Sequence, residues 1–547
     1  MTSQHLPLAL GAATLLLASS GAAGGHREAA PTMILELDTL RPVATVDARF
    51  LSYNVEMAEV IGGNFWKPYD AQTLAALKAP KPAPAAPPPT GGATPQPAGI
   101  DSTLFQKRPP IDLTNARLRR LAAALGPAYM RTSGTWANTV YFHDDATPPP
   151  DSAPEGFRGV LTRPQWKGVV DFARAVNAQL VTSFAISPGV RDSAGVWTPV
   201  QAQKLAAYTR AVGGALAAAE MFNEPDMPSY GGAPPGYDAR AYARDFAVFN
   251  RWARATVPTM RLVGPGSVGE GVLIPRMGGN AAMGGALLPT VDMLSATPRP
   301  VFDVFSFHFY GAASIRCASM GAGAQVTADS ALSEAWLARA DTSWAFYGAL
   351  RDRFEPGKPV WITETADAAC GGNPWAATFL DSFRFLDQLG RFAKHGVAAV
   401  FHNTLASSEY GLLDERTFLP RPNYWAALLW HRLMGPTVLD AGTPRPGLHL
   451  YAHCLPGRPG GATLLAINNS RTDTTSVTVA QAAERYTLSA PAPESPRVAL
   501  NGRELRLGVG DALPELRGAR VPPGRVALAP ASITFLTVRG AGNAACR

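Results

Sequence analysis

Cysteine is scarce in this chain: four residues in 547, with no Cys-x-x-Cys and no His/Cys cluster. That excludes the usual thiolate metal sites, so neither a metal nor any other cofactor is expected. Charged residues make up only 17%, yet 46% of the chain is hydrophobic and 9% aromatic, which excludes a disordered or fibrous protein. The 52 glycines and 49 prolines follow no period, which excludes collagen and indicates many loops. There is no internal repeat. Beyond the N-terminus no apolar run is long enough to span a bilayer, so a soluble mature protein is expected. The length accommodates two to four domains of ordinary size, or one large barrel with a smaller module.

What is present begins with residues 1–25, an apolar stretch ending in small residues suited to signal-peptidase cleavage near Ala22 or Ala23. It reads as a signal peptide and implies an exported protein, periplasmic or secreted; a buried N-terminal helix is the alternative. The segment holds no Asp, Glu, Lys or Arg, so the formal charge of +7 survives its removal. A basic exported protein suits an anionic partner. Four cysteines in such a protein suit two structural disulfides.

From residue 43 short β-branched or aromatic runs alternate with helical patterns, the mark of a parallel β/α fold. Eight strand candidates cover 43–54, 128–133, 179–187, 217–223, 261–266, 301–310, 359–365 and 398–404. A (β/α)₈ TIM barrel over 43–434 is the economical solution. An open doubly wound sheet is the alternative, disfavoured because the first βα connection lacks GxGxxG. Asp112, Thr162 and Thr198 are expected to supply N-cap oxygens, with Pro199 in a first turn. Residues 79–99 read as a Pro-rich surface insertion in the first βα connection. From 435 to 547 short alternating runs separated by turn residues predict an all-β sandwich, which a strand within 31–42 could join.

Barrel chemistry sits at the C-terminal strand ends. Glu224, in EMFNEPD after the fourth strand, and Glu364, in VWITETAD at the end of the seventh, both follow apolar runs. A carboxylate in such a position is costly unless used or paired. Two facing carboxylates are what glycoside hydrolysis needs, one as acid then base, the other as nucleophile or water activator. In Asn-Glu-Pro the Asn can bond a sugar hydroxyl while Pro fixes the turn.

This arrangement resembles the clan A glycosidases, and within them glycoside hydrolase family 79, the heparanase and β-glucuronidase family. The likeness spans most of the chain: LGPAYMRTSGT (125–135), FNEPD, FHFYG (307–311), VWITETADAACGG (360–372), EYGLLDERTFLPRPNYW (409–425), and YAHC with AACR near the end. It implies Glu224 as acid/base, Asn223 on the 2-hydroxyl, Glu364 as nucleophile, Asp47 on a non-reducing-end hydroxyl, and the pair His308 and Tyr310, the latter supporting the nucleophile. Tyr410, with amides near Cys370 and Gly371, would hold a uronate carboxylate. It also implies a Cys454–Cys546 disulfide. From the residues alone, Asp47 could cap a turn, His308 could be a core histidine and Tyr410 could simply pack. Cys317 and Cys370 both follow barrel strands on the catalytic face and could form a second bridge; two free thiols is the alternative.

The sequence departs from the family's pattern where Ala-Tyr-Gly-Gly usually follows the nucleophile. Here Ala368, Ala369, Cys370 and Gly371 stand, Ser408 replaces a usual Gly, and Glu409 adds a negative charge. The resemblance implies a retaining β-glucuronidase, heparanase-like, acting as a monomer on glucuronate-bearing glycans, without nucleic acid or membrane partners. Another clan A specificity, such as a xylosidase or arabinofuranosidase, and a catalytically silent glycan-binding protein are the alternatives.

Overall fold

The computed structural model describes residues 33–78, 102–282 and 286–547. Residues 1–25, expected to be a signal peptide, and the stretch 79–99, expected to be a Pro-rich insertion, lie outside the described residues. Eight parallel strands close a barrel: β1 Leu51–Asn54, β2 Ala128–Thr132, β3 Ala178–Ser183, β4 Leu216–Glu220, β5 Arg261–Ser267, β6 Val304–Ala313, β7 Val360–Ala369 and β8 Ala399–His402. Toward the N-terminal ends the interior is filled by Tyr129, Val181, Val263, Trp361 and Phe401. Above them it turns polar, with Asn54, Arg131, Glu220, His308 and Glu364 all buried. The change from an apolar to a polar interior marks which end works.

The first strand is shorter than expected. Pro42–Thr45 pairs antiparallel with Thr437–Leu439 in the second module, and only Leu51–Asn54 enters the barrel. Between them the chain turns at Asp47, which accepts from the Arg49 amide and from Tyr129 Oη.

Thr162 caps helix Arg163–Ala175, accepting from the Gln165 amide. The other two expected caps differ. Helix Ala116–Ala123 begins at Asn115, whose side chain accepts from the Arg117 and Leu118 amides, while Asp112 closes the preceding turn. Helix Val200–Ala211 has Pro199 itself as N-cap, and Thr198 bonds the Val190 carbonyl instead.

The second module is a nine-stranded sheet covered by a three-stranded one. Met33–Leu35 runs parallel to Val477–Val479 in the smaller sheet, so the N-terminal strand does join this module. Period-two alternation explains both interfaces. Leu464, Ala466, Leu536 and Val538 face the covering sheet, whereas Leu465, Ile467, Ile533 and Phe535 face the barrel. Helix Phe379–Lys394 is therefore buried on both sides, and a Cβ on Gly390 would lie 2.3 Å from the Tyr451 ring. Cys454 and Cys546 are bridged, tying the last residues to the sandwich.

Charge also joins the two units. His449 lies between Asp387 (2.5 Å) and Glu334 (2.8 Å), and Tyr451 donates to Asp387. Burial lowers the affinity of His449 for its proton, but the two carboxylates outweigh it and raise the pKa to about 9. The folded value exceeds the unfolded one of ~6.5, so this stabilisation is fully present below that pH and is lost as pH rises through the folded value. Thermal unfolding from pH 6 to 10 should show up to about 3 kcal/mol lost in this window. His449→Gln should flatten the profile; an unchanged slope would refute the latch.

Candidate active site

The two glutamates reach one cavity by different local devices. Glu224 follows β4 with φ 51°, a left-handed conformation costing on the order of 1 kcal/mol for a non-glycine residue. Its neighbour Asn223 is held by a reciprocal pair: Asn138 Nδ2 donates to the Asn223 carbonyl, and the Asn223 amide donates to Asn138 Oδ1. Glu364 lies inside β7 rather than at its end. Between Phe307↔Ile362 and His308↔Glu364 the β6–β7 register slips by one residue. In a regular strand Thr363 and Glu364 would point to opposite faces. The bulge lets both face inward, Thr363 Oγ1 to Glu220 and Glu364 to Tyr310 and Arg131.

Glu364 is held at both oxygens. Tyr310 Oη donates to Oε1 at 2.7 Å and Arg131 Nη1 to Oε2 at 2.8 Å. Arg131 also binds Glu220 Oε2 and Asn223 Oδ1. Asn403 Nδ2 donates to Tyr310 Oη at 2.9 Å and lies 3.4 Å from Tyr410 Oη. On the other side His308 Nδ1 lies 3.1 Å from Glu224 Oε1. One carboxylate oxygen each of Glu224 and Glu364 and a His308 nitrogen all fall within 4.8 Å of one another. Such a cluster has metal-ligand spacing, but the Arg131 guanidinium already supplies a cation to it.

Charge sorts the carboxylates. Burial raises Glu220, but Arg131 and His308 overcome it and hold the group at about 2. Burial would discharge His308, but Glu364, Glu220 and Glu224 keep it protonated, with a pKa of about 10. The charged ring donates Nδ1–H to Glu224, while Nε2 is 3.9 Å from Glu220 Oε1 and 3.3 Å from Arg131. Glu224 is raised above the usual carboxylate range, by burial first and by Glu364, against the lowering bond from His308. Two cations thus balance Glu220 and Glu364, and Glu224 is shifted toward the protonated form that an acid needs. Two carboxyl groups with an oxygen of each within 4.8 Å of the other are close enough for a retaining displacement, which needs no room for a water between them.

The sequence-predicted residues divide. Glu224, Glu364, Tyr310, Cys370 and Tyr410 line a cavity of about 150 Å³. Asn223 and His308 are fully buried and do not line it; they position the residues above. Gly371 also sits behind the wall, where a Cβ would come within 2.6 Å of Trp66. Asp47 is a correction: it precedes β1 and contacts Tyr129 at the N-terminal end of the barrel, opposite the cavity. Glu56, beyond the C-terminal end of β1, lines the cavity instead. Burial, then Glu364, raises its pKa well above the ordinary value, and Gly134 leaves room for it, since a Cβ there would lie 1.6 Å from Oε2. Arg131, Glu220, Glu56 and Asn403 were not singled out from sequence. The first two are charges embedded in apolar strand runs, a signal that was legible.

The departures from family pattern have a common geometry. Cys370 (φ 62°) and Ser408 (φ 59°) both hold the left-handed conformation that favours glycine. Cys370 is pinned there by a bridge to Cys317. The β6–β7 ribbon continues past the barrel to Ala313↔Ala369, which brings these two cysteines together. Glu409 does not stand as a free charge: Arg316 Nη2 binds it at 2.7 Å. Arg316 Nη1 is also hydrogen-bonded to the carbonyls of Cys370, Gly371 and Gly372, and the guanidinium stacks 3.7 Å over Tyr69. Asp367 accepts from the Asn373 amide within the buried core.

A closed β/α barrel with an antiparallel sandwich and two facing carboxylates at the strand ends is an arrangement suited to glycoside hydrolysis. No protein-family model matches the chain. It is 28% identical over 394 residues to heparanase-like protein 1 of Arabidopsis thaliana, spanning 68% of this chain and 67% of that one. It is 26% identical over 497 residues to hyaluronoglucuronidase of Hirudo nipponia, spanning 82% and 95%. Among solved structures, a 4-O-α-L-rhamnosyl-β-D-glucuronidase from Fusarium oxysporum aligns with a TM-score of 0.58 over 93% of this chain and 100% of that one. At 15% identity that likeness speaks for the fold alone. Over most of its length the chain is thus similar to heparanase-like proteins and a hyaluronoglucuronidase. Among the described residues no helix is long and apolar enough to cross a membrane.

Proposed function

We propose that this enzyme hydrolyses β-linked glucuronate by double displacement. Protonated Glu224 gives its proton to the glycosidic oxygen as the C1–O bond breaks, and a Glu364 oxygen forms a bond to C1. A water then attacks C1, Glu224 takes its proton, and the C1–Glu364 bond breaks. The observation that carries this reading is the pair itself: a carboxylate held by Tyr310 and Arg131, within 4.8 Å of a carboxyl held by His308. Export to the periplasm or medium fits the apolar N-terminal segment and the two disulfides.

A uronate carboxylate would be repelled by an unpaired carboxylate beside it. The Arg316–Glu409 pair removes that objection, and the arginine's bonds to three successive carbonyls order the loop carrying Cys370 and Gly371. Hydrolysis of an aryl β-glucuronide beside the matching β-xyloside tests the reading: the glucuronide should be preferred, with the anomer retained in early proton NMR spectra. Preference for the xyloside would overturn it. Arg316→Met leaves Glu409 uncompensated, so kcat/KM on the glucuronide should fall roughly tenfold to a hundredfold, with a smaller loss on the xyloside. Equal losses would mean that Arg316 only shapes the loop.

A further inference from the structure

The Cys317–Cys370 bridge reaches the wall of the cavity that holds both glutamates, because Cys370 lines it. Cys317 is buried behind that wall, and the other bridged pair, Cys454 and Cys546, is buried in the sandwich. The loop that begins at Cys370 is held in a shape that a side chain resists. Cys370, Gly371 and Gly372 follow one another at φ 62°, 78° and 82°. Glycine enters this left-handed region freely, whereas any residue with a Cβ is disfavoured there. The turn after β6 supplies what holds the loop. Ser314 Oγ donates to the Cys370 carbonyl at 2.8 Å, Arg316 Nη1 is bonded to the carbonyls of all three residues, and Cys317 adds the covalent link. The loop in turn packs against Tyr410, which also lines the cavity: a Cβ on Gly372 would lie 3.1 Å from its ring.

We propose that this disulfide is a thiol-exchange site that sets how tightly the cavity holds its substrate. A small thiolate entering the cavity forms a bond to Cys370 Sγ as the bond to Cys317 Sγ breaks, and Cys317 leaves as a thiolate that takes up a proton. A second thiolate then attacks the reductant's sulfur in the mixed disulfide, so that the reductant is oxidised to its own disulfide and Cys370 becomes a thiol. Once freed, Cys370 keeps its Cβ but loses the bond that holds its φ positive, so the loop relaxes and has to be recovered when substrate binds. Arg316 and Ser314 still hold the carbonyls, which keeps the effect moderate. Glu364 is fixed by Tyr310 and Arg131, neither of which is on the loop, so the effect falls on binding rather than on the chemical step.

Dithiothreitol on the folded enzyme, followed by iodoacetamide and peptide mapping, tests the proposal. Cys317 and Cys370 should take label while the protein stays folded. The KM for an aryl β-glucuronide should then rise roughly five- to thirtyfold, the cost of the left-handed conformation read as a binding ratio, with kcat little changed and with recovery on reoxidation. Cys317→Ser, which leaves Cys454–Cys546 intact, should carry the same rise without reductant. Adding Cys370→Gly should recover most of it, because glycine accepts this φ without strain; a bridge that only stabilised the fold would give no such rescue. In Glu364→Gln protein, which binds the glycoside without turning it over, the glycoside should slow labelling of Cys370. An unchanged KM in fully labelled enzyme, labelling that ignores the bound glycoside, or a Cys370 that stays unlabelled until the protein unfolds would each overturn the proposal. The kinetic measurement rests on the glucuronate reading. If the untreated enzyme cleaves the aryl β-xyloside instead, that reading has failed, and the same KM ratio is then read on the xyloside.

Discussion

Glu364→Gln is expected to abolish turnover while leaving the fold intact. The amide keeps the shape and can still meet Tyr310 and Arg131, but it cannot form the glycosyl ester on which both chemical steps depend. Losing a covalent nucleophile costs on the order of 10⁵-fold or more in kcat, the largest effect expected of any single change in this chain. An aryl glucuronide assay on protein with wild-type unfolding temperature is the measurement. Activity within tenfold of wild type would remove Glu364 from the nucleophile's role.

The second large effect is at Glu224. Its replacement by Ala should lower kcat/KM by roughly 10²- to 10⁴-fold on substrates with poor leaving groups, and less on activated aryl glycosides that need little acid help. Azide should restore part of the rate on the activated substrates by replacing the base-assisted water. The same residue sets the alkaline side of the pH profile. Only protonated Glu224 can act as the acid, so activity is present below its pKa and lost as pH rises through it. Because burial and Glu364 raise that pKa, the alkaline limb should lie above the ordinary carboxylate range. His308 works in the opposite direction: its bond and charge lower the Glu224 pKa. His308→Gln should therefore move the limb to higher pH while lowering the rate. A limb that stays in place would show that His308 does not tune the acid.

Several features were legible in the chain because they are local. Apolar runs alternating with helical patterns marked the eight strands, and Thr162 with Gln165 marked a helix start. Glu224 and Glu364 stood out as carboxylates following apolar runs, in a fold that places such positions at one face. The position of Asp47 was misjudged because the chain crosses from the sandwich to the barrel between Thr45 and Leu51, and no local signal marks that crossing. Once β1 begins only at Leu51, the acidic group on the open face is Glu56.

Period and composition determined the barrel, the sandwich and the identity of the two carboxylates, since these follow from side-chain spacing along a single strand. Which groups touch was decided by the tertiary structure. The bulge opposite His308 turns Thr363 and Glu364 inward together, and strand pairing across the closed barrel puts Arg131 between Glu220 and Glu364. Folding of three separate loops onto Arg316 pairs the charge of Glu409, which in the bare sequence stands as an objection to a uronate. Charge compensation depends on distances of about 3 Å between residues far apart in the chain, and sequence spacing carries no information about such distances.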